Sequence, residues 1–166
     1  MMHHRRKWLA AVLAGILSSG TSVGVSRAGV PLSTDLQMEG RQAERACVPL
    51  LLEFSAQECG YCTLLEEEIL NPTLLNRDYD RRVLMRKLLI DRFKKLRDFD
   101  GSPVRAAELA DRYKVFVTPT LLFVDSEGRE LAERMVGVTT LEFYGGYLDQ
   151  ALEASRAKLQ ELERCK

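Results

Sequence analysis

Apolar residues gather in three short runs, Pro49 to Phe54 (PLLLEF), Val83 to Ile90 (VLMRKLLI) and Pro119 to Val124 (PTLLFV). Each is too short for a typical helix and is bounded by turn or charged residues, so each predicts a buried strand. Between them the spacing becomes helical. From Cys59 to Leu70, Cys62, Leu65 and Ile69 share one face, and Glu66, Glu67 and Glu68 read as the solvated side. Asn71-Pro72 predicts the cap and first position of a second helical turn. Thr34 to Ala46 predicts a polar, marginally amphipathic helix. Ser102-Pro103 predicts the start of another, running to Tyr113. Asp125 to Gly128 predicts a turn from which Glu130 to Val136 pairs back as a hairpin. Thr139-x-x-Glu142 predicts a capping box on a last helix to about Arg164, weakened at Gly145-Gly146. Asp91 to Gly101 is a charged connection, open to a partner or simply solvated.

The order is helix, strand–helix–strand, helix, hairpin, helix. A strand–helix–strand unit gives two parallel strands, and the hairpin adds antiparallel ones. The expected fold class is therefore α/β: a central mixed β-sheet flanked by helices, with an N-terminal helical extension.

The N-terminus has a different pattern. Arg5, Arg6 and Lys7 precede a ten-residue apolar stretch, Trp8 to Leu17, and small residues follow to Ser26 and Ala28. This predicts a secretory leader over 1–28, cleaved after Ala28, an extension over 29–47 and a domain over 48–166. Arg5-Arg6 with Trp8-Leu9 matches a twin-arginine signal only in part. The apolar stretch is short for a membrane span, so no stable membrane insertion is expected once the leader is removed. Removal takes both histidines, His3 and His4, and four bases but no acid, so 24 bases become 20 against 24 acids. A mildly acidic chain has no electrostatic reason to bind nucleic acid. Without histidine, Cys–His or Ser–His catalysis and histidine metal sites are excluded. All four cysteines remain, bound for an oxidising compartment.

Cys59-Gly60-Tyr61-Cys62 opens a helix straight after an apolar strand. There the helix dipole and free backbone N–H groups stabilise a thiolate at the first cysteine, against the adjacent charge of Glu58. The second cysteine, one turn on, can attack a mixed disulfide formed at the first. Cys59 is thus the expected nucleophile and Cys62 the resolving thiol. An inert disulfide and a metal site completed by Cys47 and Cys165 are the alternatives. An oxidising compartment would let Cys47 and Cys165 pair with each other. A helix from Thr139 to Arg164 would be roughly 39 Å long and would carry Cys165 past Cys47, so their pairing stays open.

Three motifs in order resemble the thioredoxin superfamily: PLLLEFSAQECGYC, Tyr113-Lys114-Val115-Phe116-Val117-Thr118-Pro119-Thr120, and Val136-Gly137-Val138. Exported bacterial thioredoxin-like proteins are the most similar members. The resemblance implies a thioredoxin-like fold, a cis peptide at Pro119 facing the cysteines, and a client segment bound by Gly60, Tyr61, Thr118, Pro119 and Gly137. It implies that Glu53 is a buried acid exchanging a proton with Cys62. Glu58 stands where thioredoxins have tryptophan. Gly60-Tyr61 with Thr118 looks like the periplasmic disulfide isomerases, whose separate dimerisation domain has no counterpart here. The implied activity is reduction of protein disulfides in the periplasm by a monomer, fed by a membrane thiol-electron donor, without cofactor or metal. The alternatives are a disulfide oxidant or isomerase, or a non-catalytic interaction module.

Overall fold

The computed structural model describes residues 29–165, so the expected leader over 1–28 and both histidines lie outside the described residues. The chain runs through α1 (Leu36–Ala46), β1 (Leu50–Ser55), α2 (Gly60–Leu65), a π-helical stretch (Glu66–Leu70), α3 (Asn71–Leu75), β2 (Leu84–Leu89), β3 (Lys95–Arg97), β4 (Pro103–Arg105), α4 (Ala106–Tyr113), β5 (Thr120–Val124), β6 (Met135–Val136) and α5 (Leu141–Glu161). Four strands form one sheet in the order β2-β1-β5-β6. β1 and β2 are parallel, β5 is antiparallel to β1, and β6 is antiparallel to β5. This is the mixed sheet that the apolar runs predict.

β1 is central, and all six of its residues are buried. A strand covered on both faces needs a continuous apolar run rather than alternation. Its residues still divide by parity. Leu50, Leu52 and Phe54 pack with Leu36 of α1, Leu109 of α4, Leu122 and Val124. Leu51 packs on the other face with Leu65, Leu121, Phe123, Tyr144 and Leu148. Glu53 is the one acid in this strand, and it is fully buried.

Four local expectations need correction. Ser102-Pro103 does not open a helix: Pro103–Arg105 is a strand, antiparallel to Lys95–Arg97, in a separate two-stranded sheet. Leu96 and Val104 are the buried members of these exposed–buried–exposed triplets and join the core. Gly101, at φ +90°, makes the turn between them, and α4 begins only at Ala106. Asn71 is not a cap. It is helical, at φ −67° and ψ −45°, and α2 passes through the π stretch into α3 with every junction residue in the helical region. Pro72 has no N–H and crowds the carbonyl four residues back, and the wider turn before it relieves both. Thr139 makes no capping box: Thr140 is the N-cap of α5, without a side-chain bond. Finally, of Glu130 to Val136 only Met135–Val136 is a strand, and Glu130 makes an isolated bridge to Val124.

α5 continues unbroken through Gly145-Gly146 and ends at Glu161. Glu163, at φ +54°, then turns the chain, and Arg164 reaches Glu44 of α1 at 3.8 Å. The early end removes the expected overshoot. Cys47, in a left-handed conformation at the end of α1, and Cys165 are both free thiols, and both are half-buried. Burial and the neighbouring Cys47 thiol push the Cys165 thiol up to about 11.

Candidate functional site

β1 delivers the chain to the helix that carries the two cysteines. Its end is followed by a loop, and the Gln57 N–H donates to Asp91 Oδ2 at 2.9 Å, tying that loop to the connection after β2. Cys59 is the N-cap of α2, in an extended conformation, and its Sγ accepts from the Cys62 N–H at 3.1 Å. A side-chain acceptor at this position satisfies one of the helix's orphan donors. A thiolate there would receive the same N–H and lie at the positive end of the helix.

Cys59 and Cys62 are joined in a disulfide, with Cα atoms 5.2 Å apart. Cys59 is partly exposed, whereas Cys62 is 2% exposed. Of the two residues, Cys59 is the one that solvent reaches. Gly60 is exposed, and Tyr61 projects into solvent at 65% exposure.

The second expected motif meets the first. The Thr118-Pro119 peptide is cis, and the Thr118 hydroxyl lies 3.5 Å from Cys59 Sγ. Gly137, at φ +67°, donates its N–H to the Pro119 carbonyl at 2.8 Å, which brings the third motif to the same place. Phe116, Val117 and Val136 are exposed around this junction. Sequence reading did not single out these three as contact residues. Their signal was apolarity in loop and edge positions, where nothing in the core requires it.

Glu53 lies behind this surface. Neither carboxylate oxygen has a hydrogen-bond partner among the described residues. Burial, and next the charge of Glu66, push its carboxyl from 4.5 up to about 8, against the pull of Lys87. An uncompensated carboxylate is costly away from water, so the neutral form is favoured. The Tyr144 hydroxyl, also buried and unpartnered, is raised by burial and by the charge of Glu53.

Sequence reading missed Lys87, Glu66 and Tyr144 as parts of this cluster. Glu66 is not on a wholly solvated face. It faces Lys87, whose Nζ donates to its two carboxylate oxygens at 2.8 and 2.7 Å, while Glu67 and Glu68 remain exposed. A cavity of about 470 Å³ is lined by Ser55, Cys62, Glu66, Asn71 and Lys87 among others. Cys62 thus lines a polar cavity, and two of the other lining residues, Glu66 and Lys87, act electrostatically on Glu53. Among the described residues no group of three His, Cys, Asp or Glu side chains could hold a metal ion.

A family model described as a thioredoxin-like domain matches residues 36–152. The chain belongs to the thioredoxin-like domain family. Solved thioredoxins share its fold. Thioredoxin O2 from Arabidopsis thaliana, in the oxidised state, is 20% identical over 75% of this chain and 96% of its own, with a TM-score of 0.51. A poplar thioredoxin h is 19% identical over 74% and 96%, at 0.52. Thioredoxin NaTrxh from Nicotiana alata is 21% identical over 76% and 97%, at 0.50. No curated protein matches the chain. The matched region takes in α1 and the disulfide-bonded Cys59–Cys62 pair beside a cis-proline.

Proposed function

We propose that this thioredoxin-like protein is an exported thiol–disulfide oxidoreductase that reduces client protein disulfides. One observation carries the reading: a disulfide whose outer sulfur is accessible, hydrogen-bonded to a helix N-terminal N–H and beside Thr118, and whose inner sulfur is buried.

In the reduced protein the Cys59 thiolate attacks one sulfur of a client disulfide. A Cys59–client bond forms and the client's other sulfur leaves as a thiolate, which takes a proton. Cys62 loses its proton to the ionised fraction of Glu53 and attacks Cys59 Sγ, which closes the Cys59–Cys62 disulfide and releases the second client thiolate, and Glu53 then gives its proton up to solvent. Two electrons pass to the client in each cycle. Glu53, titrating near 8, is close to the proton affinity of a free thiol of about 8.5, so the transfer is nearly balanced in energy. Tyr61, Thr118, Pro119, Gly60 and Gly137 form the client-facing surface, where an extended client segment pairs with the backbone beside the cis-proline.

Export follows from the leader pattern over 1–28, which favours a periplasmic protein released after Ala28. A membrane thiol donor restores the dithiol, and the protein works as a monomer. The equilibrium of the Cys59–Cys62 pair with glutathione tests the direction. A potential near the thioredoxin value of about −270 mV supports reduction, and one near about −120 mV makes the protein an oxidant instead.

A further inference from the structure

We propose that Glu66 is a positioning residue for the dithiol: by holding the Lys87 ammonium on both of its oxygens, it denies the buried Glu53 carboxyl its natural counter-ion. The inference rests on the proton-relay reading of Glu53, and it assigns that relay a regulator.

Strand register makes Lys87 the expected partner of Glu53. The two are direct neighbours on parallel β1 and β2, where side chains at paired positions leave the sheet on the same side. An acid next to a lysine in this setting ordinarily forms an ion pair. Here both Glu53 oxygens are unpartnered among the described residues, while Lys87 donates to the two Glu66 oxygens at 2.8 and 2.7 Å. Two carboxylates compete for one ammonium, and the helix carboxylate holds it.

The helix is built to place the competitor. Glu66 lies four residues after Cys62, on the same side of the helix, and both line the cavity. It is also the first residue of the π stretch, where the Asn71 N–H donates to the Glu66 carbonyl across five residues. Such widened turns recur at functional sites because they re-aim side chains. The Glu66–Lys87 pair is mostly buried, with side chains 15% and 18% exposed, so solvent screens it only in part.

Three groups act on Glu53 from the elements around it: Ser55 from its own strand, Lys87 from β2 and Glu66 from the helix, while the charge of Glu53 acts in turn on Tyr144 of α5. Of these only Lys87 is cationic, and only Glu66 bonds to Lys87. Removing the Glu66 charge therefore acts on Glu53 in one direction twice: a repelling anion is lost, and an ammonium is released toward the carboxyl. A structural ion pair that merely fastens helix to sheet makes no such demand on Glu53.

The titration of Glu53 in the disulfide form, followed by the carboxyl carbon NMR signal, separates these roles. In Glu66→Gln the Glu53 midpoint should fall by about one pH unit or more, the range for a carboxylate that gains a nearby cation. Glu66→Asp, which keeps the charge, should restore most of the wild-type midpoint, and Lys87→Met should raise it. An unmoved or raised midpoint in folded Glu66→Gln overturns the assignment. Glu66→Asp behaving as Glu66→Gln would overturn it too, since charge would then not be the cause. The pH profile for resolution of a Cys59 mixed disulfide, measured on the same variants, separates this inference from the reading beneath it. A profile that follows the midpoint supports both. A profile that stays fixed while the midpoint moves removes Glu53 from the proton transfer but leaves Glu66 in control of its charge.

Discussion

Replacing Glu53 with glutamine should abolish a large part of the pH dependence of stability. Glu53 titrates near 8 in the folded protein against 4.5 in an exposed chain. Between these values the unfolded chain releases this proton and the folded protein keeps it, so folding becomes less favourable as pH rises. The native acid is harmless below 4.5, and its cost is complete only above 8. Each pH unit in between is worth about 1.4 kcal/mol. From about pH 5 to pH 8, with partial titration at both ends, the wild type should lose roughly 3 kcal/mol relative to Glu53→Gln. The other ionisable groups are common to both proteins and cancel in the difference. Urea unfolding of the disulfide form at several pH values measures it. The constant penalty of an unpaired glutamine amide shifts the two curves apart without tilting either. Parallel curves across this range would show that Glu53 is ionised in the folded state, and the proton-transfer argument would go with them.

Other consequences are equally open to test. Cys62→Ser should accumulate mixed disulfides through Cys59 and Cys59→Ser should not; first alkylation at Cys62 in the reduced wild type would reverse the assigned roles. Pro119→Ala should weaken client turnover more than global stability, as measured by KM and by chemical unfolding; equal losses would make the proline purely structural. Treatment with excess glutathione disulfide should join Cys47 to Cys165, releasing two glutathione thiols for each bond formed. Peptide mapping without reductant reads this directly, and independent alkylation of both thiols after treatment would refute it.

The sheet was legible because its central strands carry largely apolar runs, and the cysteine–helix junction because such a run comes just before Cys59. Glu53 stood out as an acid within PLLLEF, a place where burial must change its chemistry. Glu66 did not stand out. It sits in a run of three glutamates on the helix, and the reason it turns inward, Lys87, is 21 residues away on β2. Ser102-Pro103 misled because a cap-and-proline pattern also suits the start of an edge strand. What decided it was Leu96 and Val104 needing the same patch of core. Local sequence reports propensity, whereas these outcomes were set by contacts made across the fold.

The segment before α1 also governs how the molecule behaves in company. Pro31 accepts from the Lys87 N–H at 2.8 Å, and the Ser33 N–H donates to the Lys87 carbonyl at 2.9 Å. These bonds occupy the outer rim of β2, the strand at one margin of the main sheet, at the level of the site. A fragment trimmed to the family boundary at residue 36 would leave that rim unpaired. Bare strand margins recruit one another. Such a fragment should cling to its own copies in concentrated solution more than the longer chain, in which Pro31 and Ser33 already hold both main-chain groups of Lys87. This short stretch of apparent preamble thus acts as a selvage, keeping the fabric of one molecule from being woven into the next.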